Sequence, residues 1–264
     1  MAGGSSGGGG GRDGAAHHAP LVVQGSYGIV VIGASWGGLY AIGEIVAGLP
    51  SDLAAAVAVI QHRSKESDRL LGELLQDRTA LAVREVDDKE PILPGNVYVA
   101  PPDYHMLVDV IADEPLFSLT VDAPVRYSRP SIDVTFTSAA DAYGDRVVGV
   151  VLTGANEDGA AGLASIAERG GYPIVQDPDT AEVRTMPAAA CRAVPGAEVL
   201  GLEEIARRIV TLCGRESRPA QPAAQQAARV GMRSRLARGA RGSSQPSQPP
   251  QPSQPPQQQR GPQS

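Results

Sequence analysis

Large aromatic side chains are scarce in this chain of 264 residues: one Trp, two Phe and seven Tyr make up 4% of it. Its core must therefore rest on aliphatic packing, for which a hydrophobic content of 42% suffices. Cysteine is rarer still, with only Cys191 and Cys213. Neither has the CxxC or Cys/His spacing of a zinc or redox site, and two lone thiols suit a reduced compartment, so both read as packing residues. Long apolar runs are missing too. The longest, 53–60, is less than half the ~20 residues a membrane span needs, and no apolar signal segment follows a charged start. A cytoplasmic protein with no membrane span and no nucleic-acid partner is expected, with no metal and no organic cofactor.

What the chain has in excess lies at its ends. Residues 1–26 form a Gly-rich leader containing GGSSGGGGG, too poor in large apolar residues to offset the entropy of ordering. Residues 215–264 begin basic and end in SSQPSQPPQPSQPPQQQ, a composition that favours extended conformers over packing. Both are expected to be disordered. That tail holds eight Arg against one Glu, so the net charge of −6 leaves −13 on residues 1–214. The basic stretch 222–241 suits an acidic partner or anionic lipid, although a solvated tail is the simpler reading. A single folded domain over 27–214 remains.

Within it, the β-branched run GIVVI (28–32) is followed by a Gly-rich turn and then by Leu39, Ile42, Ile45, Val46 and Leu49 at helical spacing. The apolar run 54–60 precedes a helix over 67–75 with Leu70, Leu71, Leu74 and Leu75 on one side. A strand at 96–100 is followed by runs at 105–110 and 116–121 around an Asp-Glu-Pro turn, as in an antiparallel hairpin. Helices at 132–143, 159–169, 187–193 and 203–213 alternate with strands at 147–152 and 173–176. Parallel strands need crossover connections, so this order predicts an α/β fold: a three-layer, doubly wound, mostly parallel sheet with an antiparallel hairpin at its edge.

Ligands in such folds bind beyond the carboxyl ends of the strands. Ser35, His62 and Asp158 all lie just past such ends. A serine hydroxyl needs a base to take its proton, an imidazole can do so near neutral pH, and a carboxylate fixes the imidazole's tautomer. Gly33, Gly37 and Gly38 allow a sharp strand-to-helix turn that exposes the hydroxyl, ahead of a helix N-terminus that favours a developing oxyanion. Each residue also has a plainer reading. A histidine at a strand end is often structural, and Asp158 suits the N-cap of the helix beginning near Gly159. A dinucleotide site is a weak rival, because the glycines do not follow G-x-G-x-x-G and the second strand ends in Gln61-His62 without a ribose-binding acid.

In order along the chain stand IGASWGG, VIQHRS, VYVAPPDYHM, RPSIDV, VLTGANEDGAAGL and VQDPDTAEVRTMPAAA. Together they resemble the catalytic domain of the CheB chemoreceptor methylesterases, over roughly residues 27–200. The resemblance implies that Ser35 is nucleophile, His62 general base and Asp158 its orienting acid. It also places oxyanion-binding backbone amides at Trp36 and Ala155. The implied reaction is hydrolysis of γ-glutamyl methyl esters on chemoreceptor cytoplasmic domains, releasing methanol, with deamidation of glutamines as a second reaction. An S-adenosylmethionine-dependent methyltransferase would oppose it.

The chain departs from the family at Trp36 (usually Thr), at Arg63-Ser64 (usually Met-Pro) and at Asn156-Glu157 (usually Gly-Asn). Trp36 would wall the crevice and Arg63 would favour an acidic receptor surface. Many members carry an N-terminal receiver domain, which the Gly-rich leader is too short to form, so phosphorylation control in cis is not expected. Two alternatives stay open: a catalytically impaired binding module in a signalling array, and a hydrolase for a different protein ester. His105 and 129–131 match family motifs and read as loop-holding residues first.

Overall fold

The computed structural model describes residues 27–64 and 70–214, so the expected leader, the tail and the start of the 67–75 helix lie outside the described residues. In chain order the elements are β1 (Ile29–Ala34), α1 (Gly38–Ala47), β2 (Ala56–Gln61), α2 (Leu70–Gln76), β3 (Ala82–Glu85), β4 (Asn96–Val99), β5 (His105–Ile111) and β6 (Glu114–Thr120). They continue with α3 (Ile132–Tyr143), β7 (Val147–Val151), α4 (Ala160–Glu168), β8 (Tyr172–Gln176), α5 (Thr185–Ala193), β9 (Glu198–Leu200) and α6 (Leu202–Cys213). Seven strands form one parallel sheet in the order β3-β4-β2-β1-β7-β8-β9.

The sequence explains why this sheet is covered on both faces. β1 is buried at every position, as a strand flanked by two helical layers must be. Its side chains divide by period two: Val30, Ile32 and Ala34 pack with α1 and α6, while Ile29 and Val31 pack with α3 and α4. Cys213 closes the first of these layers, and burial pushes its thiol up to about 12. The scarcity of aromatics shows in the core, where Val, Ile, Leu and Ala predominate and Tyr98, Phe117 and Phe136 are the exceptions.

The antiparallel hairpin β5–β6 is present, but it forms a two-stranded sheet of its own and does not border the seven-stranded sheet. It lies on the α3 side, where Met106, Val108 and Phe117 join the second core layer and the Phe117 ring sits 4.9 Å from that of Tyr98. The expected edge position is corrected: the hairpin covers a face. The true edges are β3 and β9, which sequence periodicity missed. β3 reads AVRE with alternating partial exposure, and β9 has three residues, so neither offers an apolar run. In α2 the expected four-leucine face is halved: Leu71 and Leu75 are buried, and Leu70 and Leu74 are exposed.

Candidate active site

The chain winds outward from β1 in both directions, through β2 and β4 on one side and β7 and β8 on the other. That reversal opens a crevice at the carboxyl ends of β1, β2 and β7. Ser35 directly follows β1. Its N–H donates to Thr153 O (3.0 Å), beyond the end of β7, and its carbonyl accepts from Gly38 N (2.9 Å) and Gln61 Nε2 (2.7 Å). The turn needs Gly37, whose φ of 76° lies in the left-handed region and whose added Cβ would meet Glu182 Oε2 at 2.6 Å. Gly154 allows the other close approach, since a Cβ there would stand 3.0 Å from Ser35 Cβ.

His62 directly follows β2, anchored by its N–H on Ala34 O (3.0 Å). Its Nε2 meets Asp158 Oδ2 at 2.8 Å, which leaves Nδ1 as the nitrogen available to a substrate or nucleophile. Ser35 and His62 line the same crevice; among the described residues no hydrogen bond joins Ser35 Oγ to the imidazole. Ser128 Oγ is the hydroxyl nearest Nδ1 in hydrogen-bond terms, at 3.4 Å.

Asp158 is fully buried and accepts five hydrogen bonds. Oδ1 takes Ser131 Oγ (3.0 Å), Asp133 N (3.0 Å) and Gly159 N (3.1 Å); Oδ2 takes Ile132 N (2.7 Å) and His62 Nε2. Burial alone would raise its pKa, but the His62 bond and the amides of Asp133 and Ile132 outweigh it and hold the carboxyl below its ordinary value. The N-cap reading finds the wrong helix: the N-cap of α4 is Gly159, and Asp158 chiefly receives the first amides of α3. An ionised, immobilised acid against an imidazole fixes that ring's tautomer and stabilises its protonated form.

The crevice is further lined by Arg63, Ser64, Asp103, Pro124, Arg126 to Pro130 and Asn156. Arg63 points inward, its Nη2 on Glu85 (2.7 Å) and on Ala100 O (2.6 Å), and so does not present its charge to a surface. The Trp36 side chain is exposed, and its indole N–H donates to Glu182 (2.8 Å), which ties the ring to the loop before α5. Ala155 is exposed in the loop after β7. Among the described residues the N–H of neither Trp36 nor Ala155 donates to a protein acceptor. His105 is a buried structural residue, with Nε2 near Ala123 O (3.2 Å) and Nδ1 accepting from Ser131 N (3.2 Å). Arg129 ties loops together through Asp103, Val121 O and Asp122 O.

Gln61, Ser128 and Asp133 escaped sequence reasoning as parts of the site, and Ser131 read first as a loop-holding residue. Gln61 ties the Ser35 carbonyl to the end of β2 and also donates to His62 O (3.1 Å). Ser131 and Asp133 meet Asp158, and Ser128 meets His62. Ser131 and Asp133 sit in the quoted RPSIDV motif, the one signal that marked them.

Comparisons of the chain with known proteins agree on a family. The profile of the CheB methylesterase family matches residues 30–209. A relative from Leptospira interrogans is 42% identical over 187 residues, covering 71% of this chain and 95% of its own. A protein-glutamate methylesterase/protein-glutamine glutaminase of Symbiobacterium thermophilum is 40% identical over 186 residues, covering 70% of this chain, which spans 51% of that relative's length. The crystal structure of the Thermotoga maritima CheB methylesterase catalytic domain superposes with a TM-score of 0.68 at 32% identity, covering 72% of this chain and all of that one. With two thirds of its length matched by the profile, and with relatives and a solved domain agreeing, this chain belongs to the CheB methylesterase family.

Proposed function

We propose that this chain hydrolyses glutamate γ-methyl esters on the cytoplasmic domain of a chemoreceptor, acting in the cytoplasm in opposition to an S-adenosylmethionine-dependent methyltransferase. Among the described residues no helix is long and apolar enough to cross a membrane. The observation that carries the reading is the 2.8 Å contact between His62 Nε2 and the buried Asp158, which leaves Nδ1 for the crevice that Ser35 lines.

In the reaction Ser35 Oγ attacks the ester carbonyl while His62 Nδ1 takes its proton, forming a tetrahedral intermediate. Collapse breaks the C–O bond to methoxide, which leaves as methanol with the proton from His62. Water then attacks the glutamyl-enzyme while His62 takes its proton, and His62 passes that proton to the departing Ser35 oxygen, freeing the γ-carboxyl group, which ionises in solution. The backbone N–H groups of Trp36 and Ala155 are assigned to the oxyanion. A glutamine side chain follows the same path with ammonia as leaving group, which matches the second activity in the names of the relatives.

Methanol release from a methylated receptor cytoplasmic fragment tests this, with Ser35→Ala, His62→Ala and Ser128→Ala alongside the unaltered chain. The first two variants should lose release and the third should keep most of it. Loss in Ser128→Ala with retention in Ser35→Ala would move the nucleophile to the hydroxyl that lies 3.4 Å from His62. No release by the unaltered chain from any receptor fragment would favour a binding module or another ester.

A further inference from the structure

Residues 125–128 make a two-residue turn at the crevice rim: Ser128 N–H donates to Val125 O (2.8 Å) and Val125 N–H to Ser128 O (3.1 Å). The tip residues Arg126 and Tyr127 have φ of 48° and 64°. Such turns ordinarily place Asn or Gly at those positions, because a Cβ is strained there. Here two large side chains occupy them, and strain of that kind persists where it serves a site.

The domain holds neither side chain closely. Tyr127 is fully exposed. Arg126 is half-exposed and donates through Nε alone, to Asp133 (3.3 Å), so that its two Nη groups have no protein partner among the described residues. The other arginines of the crevice are turned inward: Arg63 is buried with Nη2 on Glu85 and Ala100 O, and Arg129 is mostly buried on Asp103 and two carbonyls. Arg129 thereby also neutralises Asp103, the one acid among the lining residues. Ser128 of the same turn reaches His62. Each crevice arginine thus has one acid partner, and Arg126, half-exposed and held through Nε only, is the one that keeps both Nη groups open beside the reacting groups.

Building on the ester-hydrolase reading above, we propose that the 125–128 turn reads the substrate. Arg126 pairs with a carboxylate next to the reacting glutamyl side chain on an acidic protein segment, and the Tyr127 ring packs against that segment.

The test uses the full chain and two labelled peptides, each with one γ-methyl glutamate, flanked by glutamates in one and alanines in the other. The variants are Tyr127→Gly and Arg126→Asn, both suited to the left-handed backbone, so a merely structural turn predicts unchanged or higher melting temperature and unchanged kcat/KM. The expected result is a preference of the unaltered chain for the acidic peptide of about two- to fivefold, the range of one exposed ion pair. Arg126→Asn should erase that preference, and Tyr127→Gly should raise KM for both peptides. No preference in the unaltered chain, or variants that treat both peptides as it does, overturns the proposal. If the unaltered chain cleaves neither peptide, methanol release from the receptor fragment decides the hydrolase reading and fluorescence anisotropy decides this one. Acidic-peptide binding weakened by both substitutions sustains it, and equal or undetectable binding overturns it.

Discussion

Asp133 and Asp158 each accept the amides that begin the other's helix. Asp158 takes Ile132 N and Asp133 N at the start of α3, and Asp133 Oδ1 takes Gly159 N (2.9 Å) and Gly162 N (2.7 Å) at the start of α4. Helix N-termini stabilise negative charge, so each acid sits at a favourable pole, yet the two carboxylates also repel one another. The consequence is divergence. Burial, with the charge of Asp158 adding to it, outweighs those amides and holds Asp133 above its ordinary value, while Asp158 is held below. The acid that orients His62 stays ionised, and its neighbour bears the repulsion.

Asn and Ala at position 133 should therefore behave differently. Both amides of α4 end on a single oxygen, Oδ1, which Asn retains. Asp133→Asn should fold with stability equal to or above that of the unaltered chain at pH 7. Asp133→Ala strands two N–H groups and should cost about 1–3 kcal/mol. Urea unfolding of both proteins checks this, and equal losses in the two would show that hydrogen bonding to Oδ1 is not what matters.

The two acids also have opposite pH signatures. A depressed folded pKa, as at Asp158, contributes stability that is present above the ordinary value of 3.8 and lost as pH falls through the folded value. A raised one, as at Asp133, contributes stability below 3.8 that is lost as pH rises through the folded value. The deficit of Asp158→Asn should hence be greatest near pH 7 and shrink below 3.8, and any gain of Asp133→Asn should fade over the same descent. Urea midpoints from pH 3 to 7 measure both slopes. Asp158→Asn should in addition lower turnover by roughly 10³–10⁴ if its acid sets the imidazole tautomer.

Ser131 tests the cradle from another side. Its buried hydroxyl donates to Asp158 Oδ1 at 3.0 Å, so Ser131→Ala removes one of five donors without touching the crevice floor. A stability loss of about 1 kcal/mol is expected. The positioning role predicts a fall in kcat with KM unchanged; a change confined to KM would place Ser131 in substrate binding.

Much of this was legible in the sequence because buried parallel strands write themselves as continuous apolar runs. GIVVI and 54–60 mark β1 and β2 directly, and with them the positions of Ser35 and His62 at the strand ends. Asp158 was harder, since six residues separate it from β7 and its nearest helix offers a plausible capping role. What brings it to His62 is the start of α3, a long-range pairing that no local pattern encodes. The same limit hid Gln61, whose meaning depends on the neighbouring strand's turn, and the edges β3 and β9, whose half-exposed faces carry too few apolar residues. The hairpin was found, but its place over a face rests on Phe117 meeting Tyr98, a contact invisible to periodicity.

Gly154 offers a last test, because it separates packing from positioning. A Cβ there would stand 2.6 Å from Met186 Cε, 2.7 Å from its Sδ and 3.0 Å from Ser35 Cβ. The methionine side chain is flexible and can move aside, so Gly154→Ala should cost only about 1–3 kcal/mol. Ser35 sits in a turn tied at both its N–H and its carbonyl, and it can yield only by shifting the hydroxyl. That contact asks Ser35 to give by a few tenths of an ångström, and since a misplacement near 1 Å costs on the order of 10² in rate, kcat should fall about severalfold. Adding Met186→Ala relieves the contact with the sulfur but not the one with Ser35. Truncating the fully buried Met186 costs about 2–5 kcal/mol of its own, so the double variant should gain no stability and its turnover should stay low; recovery of turnover would show that Gly154 acts through the methionine alone.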